Sequence, residues 1–421
     1  MSAIPVAGVH QRVSLRRARL TGGFFILLAL VMVFAFAANS EPGQESVFVL
    51  NAGEVAIPLP AWALPTQASL FVMAGLCALA GVVQATRGFG RYMHLVLGAV
   101  VSLFIFSFLV WADRDQSINL MGMLAATLLS AVPLTLGACS GILCERSAVI
   151  NISIEGMMIT AAFTGAVVAS AAGSLWIGMV LGILSGALLG GILAVLAIRY
   201  QVDQIIAGTV INIFALGITS YLSARVLAQY SELNNPGVFG TWPVPLLSEI
   251  PILGPIFFTA NVFVYVMYAV IAVLTVALFK TRWGLRVRAV GEHPRAADTV
   301  GINPLRTRYV NVLLGGMMAG LAGAYFTLGS VGRFEENMTA GNGFIALAAM
   351  IFGRWHPVGA FGAALVFGFA QALQSKVALL HVPISSDFLL MAPYIATILV
   401  VAGVVGRARP PAADGQPYVK E

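Results

Sequence analysis

Apolar residues in this chain come in long unbroken runs, with neither the alternation of a half-buried strand nor the single stripe of a surface helix. A run of about 20 apolar residues crosses a hydrocarbon core as a helix. Twelve such runs are predicted, at 20–39, 62–84, 93–112, 118–142, 147–171, 174–198, 204–228, 260–280, 309–330, 341–353, 357–376 and 386–406. The run 341–353 is too short to cross upright as a helix, which predicts a re-entrant or half-length helix lined by protein. An N-terminal basic patch before Phe24–Ala38 has the outline of a signal peptide, but the many later spans favour an uncleaved first helix.

The polar residues between the runs test this count. Lys and Arg accumulate in short cytoplasmic loops. With the N-terminus inside, all but Arg114, Arg225, Arg333 and Lys376 of the 23 Lys and Arg fall on the cytoplasmic side. Both termini are therefore expected in the cytoplasm. Dropping one span would reverse every later loop and spoil the asymmetry, so 341–353 is expected to change sides despite its length.

Composition agrees with the pattern. Of 421 residues, 59% are hydrophobic and 10% charged, with a mean hydropathy of +0.92, against roughly 25% charged in soluble domains. Too little charge exists to cover a water-soluble surface, which excludes a soluble enzyme and, despite the net charge of +6, a nucleic-acid binder. The expected fold is all-α: a polytopic membrane helical bundle of about 12 spans, with membrane lipid as its main solvent. Cys77, Cys139 and Cys144 have no metal-ligand spacing and read as small core residues.

Little in the sequence carries chemistry. No GxxxxGK(S/T) phosphate loop occurs, and the five His are scattered. Asp113 and Asp115 form a DxD pair, but in a short solvated loop. Gly178, Gly182, Gly186 and Gly190 recur every fourth residue, as do Gly316 and Gly320, and predict close helix seams. Glu155 lies well inside a span, where a carboxylate marks a substrate path, a proton relay or a buried pair. Its structural alternative is a hydrogen-bond or ion-pair anchor near the inner interface, with Arg146 or Arg199 as partner. Asn151, four residues earlier, is expected on the same helical face, with Ser153 beside them and Thr209 and Asn212 on the next span. The external loop 229–259 is rich in Pro and Asn and reads as ordered turns. The internal loop 280–308 carries Lys280, Arg282, Arg286, Arg288, Arg295, Arg306 and Arg308 among small apolar residues. Gly291, Pro294 and Gly301 break it into short helices, a surface suited to docking a partner protein.

Four stretches together resemble the permease subunit of type II ABC importers in the branched-chain amino acid and ribose permease superfamily, nucleoside-importer branch. They are ERSAVINISIEGMM at 145–158, QIIAGTVINIFALG at 204–217, the loop 284–303, and NMTAGNGFIALAAMIFGRWHP at 337–357. The resemblance implies a ten-helix permease core over 93–406, two extra N-terminal spans in 1–92, a coupling loop at 280–308 and a cytoplasmic tail at 407–421. It also implies a cytoplasmic ABC ATPase that binds ATP and Mg, with no cofactor on this chain. A second homologous permease and an extracytoplasmic substrate-binding lipoprotein complete the assembly, in the bacterial inner membrane.

Within 280–308 the resemblance places ATPase coupling on Arg286, Arg288, Gly291, Glu292, His293, Pro294, Arg295, Ala297 and Gly301, with His293 where Asn is usual. Translocation is expected past Asn151, Ser153, Glu155, Thr209 and Asn212. The rival reading is an ion-coupled secondary transporter with Glu155 as the coupling carboxylate.

Overall fold

The computed structural model describes residues 7–51, 59–378, 391 and 409–420. In chain order the helices are α1 (Ala7–Val31), α2 (Thr66–Thr86), α3 (Met93–Ala112), α4 (Leu120–Glu145), α5 (Ile154–Ala172), α6 (Leu175–Ala194) and α7 (Gln204–Leu222). Next come α8 (Leu253–Phe257), α9 (Val262–Lys280), α10 (Arg282–Glu292), α11 (Pro294–Thr299), α12 (Pro304–Ala324), α13 (Asn342–Phe352) and α14 (Pro357–Val377). Among the described residues, 10 helices are long and apolar enough to cross a membrane, each on one of the predicted runs. The predicted run 386–406 lies, apart from Met391, outside the described residues.

The chain packs as two compact units, Met1–Gly122 with Lys376–Pro383 and Met123–Ser375 with Ile384–Glu421. In the first, α1 and α2 meet at a pair of glycines: a Cβ on Gly22 would lie 2.7 Å from the Gly81 carbonyl oxygen. A small sheet ties α3 to this pair. Strand β1 (Glu45–Val49) runs antiparallel to β2 (Trp62–Pro65) and parallel to β3 (Ser117–Asn119), so the third span belongs with the first two. The carboxylates of the DxD pair diverge: Asp113 is buried, while Asp115 Oδ2 accepts from Gln44 Nε2 at 2.8 Å.

The second unit is built around α5, α6 and α12. The α6 glycines let these backbones touch. A Cβ on Gly178 would stand 2.5 Å from Ala169 Cβ on α5, and one on Gly186 would stand 2.5 Å from the Gly316 carbonyl oxygen on α12. Hydrocarbon gives helices no hydrophobic reason to associate, so close packing of small residues supplies the attraction. Between spans, 229–259 holds α8 and a two-residue strand pair, Trp242–Pro243 with Thr259–Ala260.

Two departures from the sequence reading bear on function. Residues 146–153 are not helical. α5 begins only at Ile154, after a β-branched stretch (Val149, Ile150, Ile152) that disfavours helix and an Asn151 side chain that accepts from Ser153 N at 3.1 Å and from Ser153 Oγ at 2.8 Å. Asn151 and Glu155 therefore do not share a helical face.

The second departure concerns residues 334–355, which run from beside the end of α5, past its first turn, to the end of α4. Phe334 is held through both backbone groups by Asn234, N–H to Oδ1 at 2.6 Å and carbonyl to Nδ2 at 2.9 Å. Next to Asn234, the Asn235 N–H reaches Ser170 Oγ near the end of α5 at 3.1 Å. At the opposite end the Trp355 carbonyl accepts from Arg146 Nε at 3.2 Å and Nη2 at 3.0 Å. α13 has 11 residues, about 17 Å at ~1.5 Å per residue, or half of a ~30 Å hydrocarbon layer. Non-helical backbone between Phe334 and Asn342 covers the remainder. It is anchored to protein at Phe334 and Thr339, 3% and 1% exposed, while Glu335, Glu336, Asn337 and Ala340 between and beside them are exposed.

Candidate functional site

Where α13 begins, it faces the first turn of α5. Glu155 Oε1 accepts from Thr339 Oγ1 at 2.6 Å and from Gly341 N–H at 2.8 Å, and Oε2 accepts from Gly343 N–H at 2.6 Å. The carboxylate thus caps the open N-terminus of α13, where unpaired N–H groups and the helix dipole favour an anion. Gly343 is required by the approach: a Cβ there would lie 2.5 Å from the Glu155 amide nitrogen. The partners of Glu155 are therefore donors of the 339–343 stretch, in place of the Arg146 or Arg199 that the anchor reading named. A group engaged in this way is an anchor, and the ion-coupled carrier reading is not supported.

Asn212 on α7 completes the junction. Its Oδ1 accepts from Gly156 N–H at 2.7 Å, and its Nδ2 donates to the Ile152 carbonyl at 2.9 Å. These are the backbone groups left open where α5 begins. Beside the junction is a cleft of about 190 Å³ lined by Glu155, Ile159, Asn212, Ile213, Leu216, Asn337, Thr339, Gly341 and Phe344. Of its apolar lining, Ile213 (67% exposed) and Phe344 (49% exposed) reach the surface.

Of the residues singled out in the sequence, Glu155 and Asn212 meet in this cleft. Asn151 and Ser153 are fully buried behind it, with Asn151 Nδ2 donating to Ser140 Oγ at 3.2 Å. Thr209 is exposed and bonds back to the Ile205 carbonyl at 2.8 Å, away from the cleft lining. Asn337, Thr339 and Phe344 were missed as site residues. The signal for them was the Asn/Thr/Gly-rich stretch just ahead of an apolar run, the composition of a helix start.

The second candidate surface is 280–308. Thr281 Oγ1 caps α10 by accepting from Gly284 N–H at 3.2 Å. His293 Nδ1 accepts from Ala296 N–H at 3.4 Å and Pro294 opens α11, so the bend between the two helices falls at His293. Gly301 ends α11 with φ of +84°, a left-handed conformation that suits glycine. Ala297 and Gly291 are buried, the latter so close to the Arg146 carbonyl that no side chain fits. Arg288 stacks over Phe279, 5.4 Å from the ring centre. Arg286, Glu292, His293 and Arg295 are exposed, as are Leu285 (61%) and Val300 (74%). Burial lowers the Arg146 guanidinium from its ordinary value and Arg288 adds to the lowering, while Glu292 opposes it. Arg146 thus links this surface to Trp355 at the far end of α13.

Comparison with known proteins fits this arrangement. Residues 123–401 match the family described as branched-chain amino acid transport system / permease component. The chain is 42% identical over 304 residues to the guanosine ABC transporter permease protein NupQ of Bacillus subtilis, covering 70% of this chain and 95% of that protein. It is 40% identical over 309 residues to the nucleoside ABC transporter permease protein NupC of Lactococcus lactis, covering 71% of this chain and 96% of that protein. A more distant relative, the guanosine ABC transporter permease protein NupP of Bacillus subtilis, is 26% identical over 253 residues, 57% of this chain and 69% of that protein. No solved structure matches. The chain is a multi-pass membrane protein and belongs to the branched-chain amino acid transport permease family of ABC transporters.

Proposed function

We propose that this chain is one of two permease halves of an ATP-driven importer for nucleosides in a bacterial inner membrane. The observation that carries the reading is the Glu155/Asn212/Asn337/Thr339 cleft. Its lining combines amide and hydroxyl groups with the apolar side chains of Ile159, Ile213, Leu216 and Phe344. A nucleoside has the matching chemistry, a hydroxyl-rich sugar joined to a flat base whose faces stack on apolar side chains. At about 190 Å³ the cleft is smaller than the roughly 300–1,000 Å³ of an enclosing ligand site. That suits half of a pathway, completed by the second permease. Selectivity then rests with the external lipoprotein, and weak contacts in the pathway let substrate leave.

The second permease is supported by the names of the relatives, since Bacillus subtilis carries both NupQ and NupP. Twelve crossings, with both termini cytoplasmic, are supported by the 10 long helices, by the path of residues 334–355 and by the charge asymmetry. On this orientation α10 and α11 face the cytoplasm, with Leu285 and Val300 as apolar contacts ringed by Arg286 and Arg295. A partner ATPase holding ATP and Mg docks there.

The test is reconstitution of the chain into proteoliposomes with its ATPase, second permease and binding lipoprotein, scoring guanosine uptake against ATP. Uptake should require ATP and should fail when Glu292 and Arg295 are both replaced by alanine in a chain that still inserts. Uptake by the lone chain, driven by a proton or sodium gradient, would overturn the reading.

A further inference from the structure

The C-terminal segment 409–420 is fastened to the cytoplasm-facing helices by a set of contacts that neither the family membership nor the cleft explains. Ala413 N–H donates to the Gly291 carbonyl at 2.9 Å, at the end of α10. Ala412 N–H reaches Glu292 Oε2 at 3.3 Å. Tyr418 Oη donates to Asp298 Oδ2 on α11 at 2.8 Å, and Lys420 Nζ lies 3.7 Å from Asp298 Oδ1. The Gln416 carbonyl accepts from Arg308 Nη1 on α12 at 2.9 Å. Ala413 and Tyr418 are 4% and 7% exposed, so the segment is packed as well as bonded.

Arg308 makes the attachment consequential. It is 1% exposed, the largest fully buried side chain among the described residues, and its Nε and Nη2 have no hydrogen-bond partner there. Asp414, on the segment itself, supplies attraction to it and shares a hydrogen bond with Glu145 at the end of α4. Removing the segment takes away the Gln416 acceptor and the Asp414 carboxyl together, both of which face Arg308. What the segment leaves open is equally informative. Leu285 and Val300, the exposed apolar residues of α10 and of the turn after α11, remain free. It therefore lies behind the docking surface and does not compete for it.

We propose that residues 409–420 act as a brace in the coupling machinery, tying α10 and α11 to Arg308 of α12 so that movement of the coupling helices is passed to the transmembrane core. This rests on reading 280–308 as the ATPase-docking segment. Without the brace, the bend at His293 and the turn at Gly301 would absorb the movement. Tyr418 and Asp298 are positioning residues in this scheme.

The test uses the assembled complex in proteoliposomes, comparing the full chain with a chain lacking 410–421 and with Asp298→Ala, Asp298→Asn and Tyr418→Phe. ATPase copurification, ATP hydrolysis and guanosine uptake are measured on each. In the deletion and in Asp298→Ala, hydrolysis should persist while uptake per ATP falls roughly tenfold, the scale of one lost charge-assisted hydrogen bond. Tyr418→Phe should fall in the same direction. Asp298→Asn keeps an acceptor for Tyr418 and should retain most of the coupling. If the deleted chain fails to assemble, the three point variants decide, since they preserve shape. Unchanged uptake per ATP would overturn the brace. So would uptake that rises, as for an inhibitory tail, or hydrolysis that falls in step with uptake, as for a docking element. Failure of the underlying docking reading would show separately, as undiminished ATPase copurification with Leu285→Asp.

Discussion

Gly343 donates its amide to Glu155 Oε2 at 2.6 Å, across 188 residues of sequence, and so joins the start of α13 to the start of α5. The same carboxylate holds Gly341 and Thr339 through its other oxygen. One side chain thus sets where the half-length helix begins, and with it the floor of the cleft.

Replacing Glu155 by glutamine should be nearly as damaging as replacing it by alanine. Both oxygens accept, and a Gln NH2 would face an N–H or O–H donor on whichever side it turned. The expected loss is about 2–3 kcal/mol, the scale of removing the charged partner of buried hydrogen bonds. It should be read as a lower melting temperature of the purified chain, together with reduced uptake. A Glu155→Gln chain of full stability would remove the anchor role.

Glycine positions should divide by contact. A methyl on Gly186 would stand 2.5 Å from the Gly316 carbonyl oxygen and 2.6 Å from Gly320 Cα, while Gly98 on α3 has nothing within 4 Å. Gly186→Ala should cost roughly 1–3 kcal/mol as the backbones of α6 and α12 are forced apart. Gly98→Ala should be neutral or slightly stabilising through the unfolded chain. Thermal unfolding of the two variants in the same detergent checks the contrast.

Phe344 is 49% exposed in the lining of the cleft, so its truncation removes little core. Phe344→Ala is expected to raise the concentration of guanosine needed for half-maximal uptake while leaving the melting temperature within experimental scatter. A fall in stability with unchanged uptake kinetics would assign Phe344 to packing.

Attachment of the C-terminal segment should depend on pH through Asp414. Burial raises its carboxyl from the ordinary 3.8 to about 6, against the lowering effects of the Glu145 hydrogen bond, the Gly415 amide and Arg308. The groups facing it are Glu145 and Cys144 on α4 and Arg308 on α12. A carboxyl raised in the attached state favours attachment when protonated. The contribution is complete below about pH 4 and is lost as pH rises through about 6. A spin label at Val419, 59% exposed, should therefore become more mobile over that interval. Asp414→Asn should flatten the response.

Much of the architecture was legible in one dimension. Apolar runs of membrane length locate the long helices because lipid forces every backbone group to be satisfied within its own segment, leaving little room for tertiary override. The α6 glycine stripe announced a seam for a similar reason, since small residues every fourth position have no other effect on a membrane helix than to let a neighbour approach. The bends at His293 and Gly301 were visible as Pro294 and Gly301. Glu155 stood out because a carboxylate in an apolar run is costly.

What the local sequence could not supply was who meets whom. Helical spacing placed Asn151 and Glu155 on one face, yet the chain before Ile154 is unwound, and Glu155 finds its donors 184 to 188 residues away. Asn337 and Thr339 became cleft residues only because the stretch before α13 descends along α5. Val47–Val49 joined the third span to the first two by pairing with Ser117–Asn119 across two intervening membrane helices of sequence, invisible to hydropathy. The stretch expected as a cytoplasmic tail at 407–421 carries, within 409–420, the partners of a buried arginine. In each case the deciding term is the satisfaction of buried polar groups. Hydrophobic run length is a local property that a sequence displays directly, whereas the partner that satisfies a given donor or charge is chosen by the packing of the whole bundle.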